Sequence, residues 1–413
     1  GSTVATATTD DLTDIILFDL YYCDANYLIS YLNADYNFYW RYCRGTDPQD
    51  EDFLPDFSTP VFERSDTDID TAYGSDQEFI YEVAFKDAAA GTNDPTTNNN
   101  LIAVRVYPND FDGNLATPGD GVNPDLWYLL NTNNADASSS ATTIDGYDAV
   151  EVGNTTYVAA TNLDDDSTII SPYIYVIAYS SDADEMTTAV VSALLENFKF
   201  NRNPDLSANC AIEKVALIAD TDRVTDLGTI AYLLSSYYYN DTDANGTDDF
   251  PALASGSYIS GFTTSIWPSW NDTFGSLLGQ TLDTDPVNVF ANAETECPYD
   301  PPDLSAGETT GTYYDETGTC WDPVLEDFYG PADSELYLYQ YHDVDDFALY
   351  TNLEYTGTGS WIDTTTTYNP CASYDDLTAA TAIAAYSGGG CGTFDYLLED
   401  SETTDNTTYD DLF

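Results

Sequence analysis

Positive charge is what this chain has least of: 9 Lys and Arg stand against 73 Asp and Glu, a formal net charge of −64. Nucleic acids and anionic membranes are bound through basic faces that displace counterions, so neither is an expected partner. His342 is the sole histidine and none of the 7 cysteines forms a Cys-x-x-Cys pair, which argues against zinc and against histidine-dependent triad chemistry. No run of about twenty apolar residues occurs, so no transmembrane segment is expected.

What is present suffices for real cores. With 413 residues and 43% hydrophobic composition, two or three globular domains are expected. Self-repulsion on this scale disfavours compaction unless salt, bound cations or proton uptake reduces it. Acid excess with few lysines also fits a saline habitat, although the abundant Tyr, Thr and Asn and the cysteines do not call for one.

The cysteines group locally as Cys23/Cys43, Cys297/Cys320 and Cys371/Cys391, with Cys210 left over. Three short-range disulfides formed in an oxidising compartment are the expectation. Glycosylation sequons stand at Asn154, Asn240, Asn245, Asn271 and Asn406, and with the cysteines they favour an extracellular or cell-surface location. The opening "GSTVATATTDD" lacks a Met or a basic stretch and reads as a processed start.

Three segments are expected. Residues 1–75 form an N-terminal docking or assembly segment in which Ile15, Ile16, Phe18, Leu20 and Tyr21 mix helical and strand periods. The segment is too small to be a domain alone, so it docks on the rest or on another copy. Residues 76–204 are strand-rich, with "EFIYEVAF", "LIAVRVYP", "TTYVAATNL" and "YIYVIAYS", closed by a helix at about 183–198. From Cys210 the spacing of Val215, Ala219, Leu227, Ile230, Ala231, Leu234, Tyr237 and Tyr238 predicts a long amphipathic helix, with Asp220, Asp222 and Asp226 off its apolar face. The third segment, 205–413, continues through two further strands.

The order of that helix, an Asn/Gly turn, "FPALASGSYISGFTTSIWPSW", "LGQTLDTDPVN", "YYDETGTCWDP" and "ELYLYQYHDVDDFALYTNLE" resembles the globular domain of bacterial type II secretion pseudopilins and type IV pilins. The resemblance implies an α+β fold: a β-rich N-terminal domain followed by a domain with a long helix packed on a small antiparallel sheet. The family's hydrophobic N-terminal helix has no counterpart before Ile212, so subunit contacts would use another segment, with residues 1–45 the candidate.

Two acidic loops are candidate calcium sites. In "DTDANGTDD", Asp241, Asp243, Asn245 and Asp249 occupy the first, third, fifth and ninth positions of a calcium loop, Gly246 permits its turn, and Thr247 can offer a carbonyl. Ala252 stands where a bidentate acid belongs, so the loop is truncated, and an acidic surface turn with a glycan on Asn240 or Asn245 is the competing reading. The resemblance implies a second calcium loop, "YYDETGTCWDPVLEDFYGPADSE", with Asp315, Asp322, Asp327 and Asp333 as ligands. Trp267 and Trp270 in "IWPSW" are candidate sugar platforms or structural aromatics.

No glycine loop for phosphate and no Gly-x-Ser-x-Gly occurs, and carboxylate pairs are too common here to indicate a glycosidase. The expected function is therefore non-enzymatic: a secreted, disulfide-bonded glycoprotein serving as homopolymeric subunit of an extracellular filament, stabilised by calcium and covalent glycans. The alternative is a monomeric adhesin that binds glycans or other cells.

Overall fold

The computed structural model describes residues 17–23, 26–33, 38–43, 62–65, 79–87, 100–109, 121–132, 138–162, 169–201, 210–239, 249–255, 257, 261–265, 269–286, 321–322, 327–328, 335–344, 346–355, 360–361 and 396–401. The protein is α+β, and the strand pairings described below are antiparallel. It divides into two compact units, Gly1–Thr221 with Thr356–Ser360, and Asp222–Tyr355 with Trp361–Phe413. Among the described residues no helix is long and apolar enough to cross a membrane.

The first unit opens with β1 (Leu17–Cys23), β2 (Asn26–Asn33), β3 (Phe38–Cys43) and β4 (Phe62–Ser65). It continues through β5 (Tyr81–Asp87), β6 (Leu101–Pro108), α1 (Pro124–Asn131), β7 (Ser140–Ile144), β8 (Tyr147–Val152), β9 (Thr155–Asn162) and β10 (Ile169–Tyr179). Last come α2 (Glu185–Asn197), β11 (Phe198–Phe200) and the start of α3 (Cys210–Tyr239). The main sheet runs β4-β5-β6-β10-β9-β8-β7, and a second runs β1-β2-β3-β11.

The central strands β6 and β10 show why the main sheet is covered on both faces. β6 is buried along its whole length, so its run "LIAVRVYP" has no polar side to offer water. Alternate residues feed two clusters. On one face Val104, Val106, Tyr175 and Ile177 pack with Val191 and Leu194 of α2 and with Phe38, Phe198 and Phe200. On the other, Tyr107, Ile174 and Val176 pack with Trp127 and Tyr128 of α1.

Local chemistry starts the two helices. Asn123 accepts from Leu126 N (2.9 Å) and Pro124 fills the first turn of α1, while Asp184 accepts from Thr187 N (2.7 Å) ahead of α2. The β7–β8 hairpin turns on Asp145 (φ 56) and Gly146 (φ 93), the left-handed pair that an Asp-Gly hairpin uses. A Cβ at Gly146 would also stand 2.9 Å from Ile218 Cδ1.

The N-terminal segment docks within the first unit. β3 pairs with β11, Phe38 opposite Phe200, and the fully buried Phe38 ring stacks on Phe198 at 5.4 Å. That aromatic anchor places β1, β2 and β3 in a sheet of this unit.

The second unit holds the rest of α3, then β12 (Phe262–Thr264), a π-helical turn (Trp270–Gly275) leading into α4 (Ser276–Leu278), the hairpin β13 (Trp321–Asp322) and β14 (Asp327–Phe328), and strands β15 (Leu338–Asp343) and β16 (Asp346–Thr351). A final strand, Tyr396–Ser401, completes the four-stranded order β12-β15-β16-(396–401). Phe250 links helix to sheet: its ring lies 4.8 Å from Tyr238 on α3 and 4.7 Å from Phe347 on β16.

The helix α3 is present where its periodicity predicts it, but its faces differ from the amphipathic expectation. Val215 is 66% exposed, whereas Asp220 and Asp226 are buried at 0% and 7%. Residues 216, 217, 219–221 and 223–228 are buried, with Ile218 and Asp222 partly exposed between them, so the helix is enclosed on most sides and its charged residues need internal partners.

Candidate functional site

Among the described residues, a dense cluster of ionisable groups lies in the second unit around Arg223. Its guanidinium, fully buried, donates from Nε to Asp285 Oδ1 (2.7 Å) and from Nη2 to Glu354 Oε1 (2.5 Å). One turn along α3, Asp226 accepts from the buried Tyr337 hydroxyl (2.8 Å). Burial, then the Asp226 charge and its hydrogen bond, push the Tyr337 phenol well above its ordinary value.

Glu335 completes the cluster. Burial pushes its carboxyl up to about 7, and the Glu354 and Asp285 charges add to this against Arg223 and a hydrogen bond with Asn352. One guanidinium thus serves Asp285, Glu335 and Glu354, beside the Asp226–Tyr337 bond, and the groups are delivered by α3, the segment after α4, the approach to β15 and the exit of β16. Such a centre clamps four elements together. Sequence reading missed it, although an arginine inside a helix of a chain with six arginines was a usable signal.

A second node is Asp145 in the first unit. Lys199 and Lys214 each donate to one of its carboxylate oxygens at 2.5 Å, and Phe200 N donates at 3.0 Å. Lys214 also donates to Phe200 O (3.1 Å), tying the β7–β8 turn to β11 and to the first turns of α3. A third pair, Arg105 with Glu82 at 2.5 Å, is buried under the Phe79 ring.

Of the calcium candidates, Asp241, Asp243, Asn245, Asp315 and Asp333 lie outside the described residues, and Asp249 lies at the described edge of its loop. Asp322 and Asp327 are brought together as facing residues of the β13–β14 hairpin. Carboxylates are hard donors of the type calcium takes, but a site needs about six oxygens. Among the described residues no group of three or more His, Cys, Asp or Glu is arranged to hold a metal.

The sequons divide. Asn240, Asn245 and Asn406 lie outside the described residues. At the β8–β9 turn, Asn154 donates its side-chain amide to Tyr179 O, and Thr156 of that sequon is buried. Asn271 is a loop clamp: its Oδ1 accepts from Leu282 N (2.7 Å) and its Nδ2 donates to Leu282 O (3.3 Å). Both amides of the described sequons therefore serve the fold.

Among the cysteines, Cys297, Cys320, Cys371 and Cys391 lie outside the described residues. Cys23 aligns with Asn26 of β2, and Cys43 with Leu28 of the same strand. In this register β2 lies between the two cysteines.

Of the assembly candidates, Ile15 and Ile16 lie outside the described residues, while Phe18, Leu20 and Tyr21 lie on β1, with Phe18 opposite Ile29 of β2. Of the two aromatic candidates, one lies within the described residues. Trp270 is 1% exposed, packs 5.3 Å from Phe274 and donates to Asp283 O (2.9 Å), so it is core and not a sugar platform. Trp267 lies outside the described residues.

Comparisons with protein-family models, with curated proteins and with solved structures find no match for this chain.

Proposed function

We propose that this protein is a non-enzymatic structural subunit of an extracellular filament or pilus-like appendage on a bacterial surface, joined to further copies partly through its N-terminal segment. The observation that carries this reading is the layout of the second unit. There the final turns of α3 rest, through Phe250 and the Asp226–Tyr337 bond, against a four-stranded antiparallel sheet. A helix laid on a small sheet and followed by an Asn/Gly-containing loop is the arrangement that the pilin and pseudopilin resemblance implies.

The chemistry of the described residues supports a structural role. The perturbed carboxylate Glu335 belongs to a cluster centred on an Arg223 that water does not reach, which suits a clamp better than a reaction centre. Calcium held by the 313–335 loop, disulfides and glycans at sequons outside the described residues complete the proposal as stabilising elements of an extracellular subunit.

Electron microscopy of the purified chain, with calcium and with a chelator, tests this reading beside a variant lacking residues 1–16. That deletion removes Ile15 and Ile16 while leaving β1 and the Phe38 anchor intact. Regular fibres from the full chain and dispersed particles from the variant are expected, with unchanged circular dichroism. Single particles from the full chain under every condition would sink the filament reading.

A further inference from the structure

Four of the nine basic residues have described side chains, Arg105, Lys199, Lys214 and Arg223, and all four are committed to carboxylates of the fold. The two arginines are 3% and 0% exposed. Among the described residues the basic side chains are thus spent on fixed partners, against a formal net charge of −64 for the chain.

Helix ends show the same allocation. Acids occupy the first turns of α1 (Asp125), α2 (Glu185) and the π-helical turn (Asp272), where the backbone dipole favours them. None of the described helices has a basic residue in its last turn, where a cation would be favoured. The exposed carboxylates Glu151, Asp182, Glu185, Glu196 and Asp272 take part in no ion pair. They sit on a strand, a turn, both ends of a helix and a π-helical turn, so the excess is spread over elements of both units and forms no single site.

We infer that this protein is built to fold in concentrated monovalent salt, with hydrated sodium or potassium ions of the medium acting as the counterions that its own sequence does not supply. Repulsion within a compact body grows with the square of the net charge and weakens as the screening length shrinks, from about 8 Å at 0.15 M to about 3 Å at 1 M salt. Screening of this kind is non-stoichiometric and unsaturated at millimolar concentration, which separates it from capture of calcium by a loop. The inference concerns the folding of each chain and stands independently of the filament reading.

Thermal unfolding of the full chain at submicromolar concentration, followed by circular dichroism between 0.1 and 2 M NaCl or KCl, tests it. The expected result is a midpoint that climbs by more than about 10 °C without a plateau, in either salt alike, and a smaller rise in sucrose of equal osmolality. A midpoint that is flat in salt, that rises equally in sucrose, or that saturates with millimolar calcium chloride in 0.1 M salt would overturn it.

Two variants read the same cause from the protein side. Glu151→Lys, Asp182→Lys and Glu196→Lys together should raise the low-salt midpoint by several degrees and flatten its salt dependence. The combination Glu151→Gln, Asp182→Asn and Glu196→Gln should give about half that effect, because it changes the charge by half as much. Equal slopes for the parent and both variants would also overturn the inference.

Discussion

The two units bury different chemistry at comparable depth. Around β6 and β10 the first unit is closed mostly by Val, Ile, Ala and aromatic residues on both faces, with the Arg105–Glu82 pair as its one buried ion pair between arginine and carboxylate among the described residues. The second unit instead places Arg223, Asp226, Asp285 and Tyr337 among its buried residues, next to Leu227, Ile230 and Tyr339. An apolar core accepts any filling of the right volume, whereas a buried charge demands one partner in one geometry. The first unit should therefore yield gradually to substitution, and the second abruptly.

The largest break is expected at Arg223. Arg223→Met leaves Asp285 buried without its guanidinium and should cost about 3–5 kcal/mol in urea unfolding. Adding Asp285→Leu should recover most of that loss, because an apolar pair of similar volume needs no compensation. If the double variant is no better than the single one, the geometric demand lies elsewhere in the cluster.

In the first unit Ile177→Ala should cost about 2–4 kcal/mol in the same assay, and Ile177→Val about 0.5–1.5 kcal/mol. Unlike the ionic case, the loss should scale with the volume removed. An Ile177→Val loss as large as that of Ile177→Ala would contradict the graded response.

A pH series sharpens the contrast. In the folded chain burial holds the proton on Glu335 to about 7, above its ordinary value of 4.5, so the contribution of this group is full below about 4.5 and is lost as pH rises through about 7. Glu335→Gln should abolish that decline and stabilise the second unit at pH 8 by about 1–2 kcal/mol, a figure reduced for partial solvent contact. Stability profiles of the two proteins that run parallel from pH 4 to 8 would refute the assignment. The smallest effect is expected for Asp184→Ala, which removes the α2 cap and should cost about 1 kcal/mol without altering the salt dependence of the midpoint.

Legibility followed range along the chain. The strand "LIAVRVYP" could be read because a fully buried strand announces itself in eight consecutive residues, and α3 because its apolar spacing repeats over many turns. Its enclosed face could not, since the partners that make Arg223 and Asp226 tolerable in the interior arrive from positions 62, 131 and 111 residues away. Asn271 carries a valid sequon and a loop clamp at once, and nothing local distinguishes them. The β7–β8 hairpin was legible in principle from "IDGYDAV", where Asp-Gly parts two runs of strand-forming residues.

The commitment of basic side chains to the interior has a consequence for how this protein meets proteases. Trypsin requires an accessible Lys or Arg, yet Arg105 lies mid-strand and Arg223 mid-helix, each buried, while Lys199 and Lys214 converge on Asp145. Cleavage after Arg105 or Arg223 then reports unfolding and not surface topography. An enzyme that cuts beside acidic residues meets Glu151, Asp182 and Glu196 in the native state. The order in which fragments cut after Arg105 or Arg223 and fragments cut beside these acids appear would time the opening of each unit.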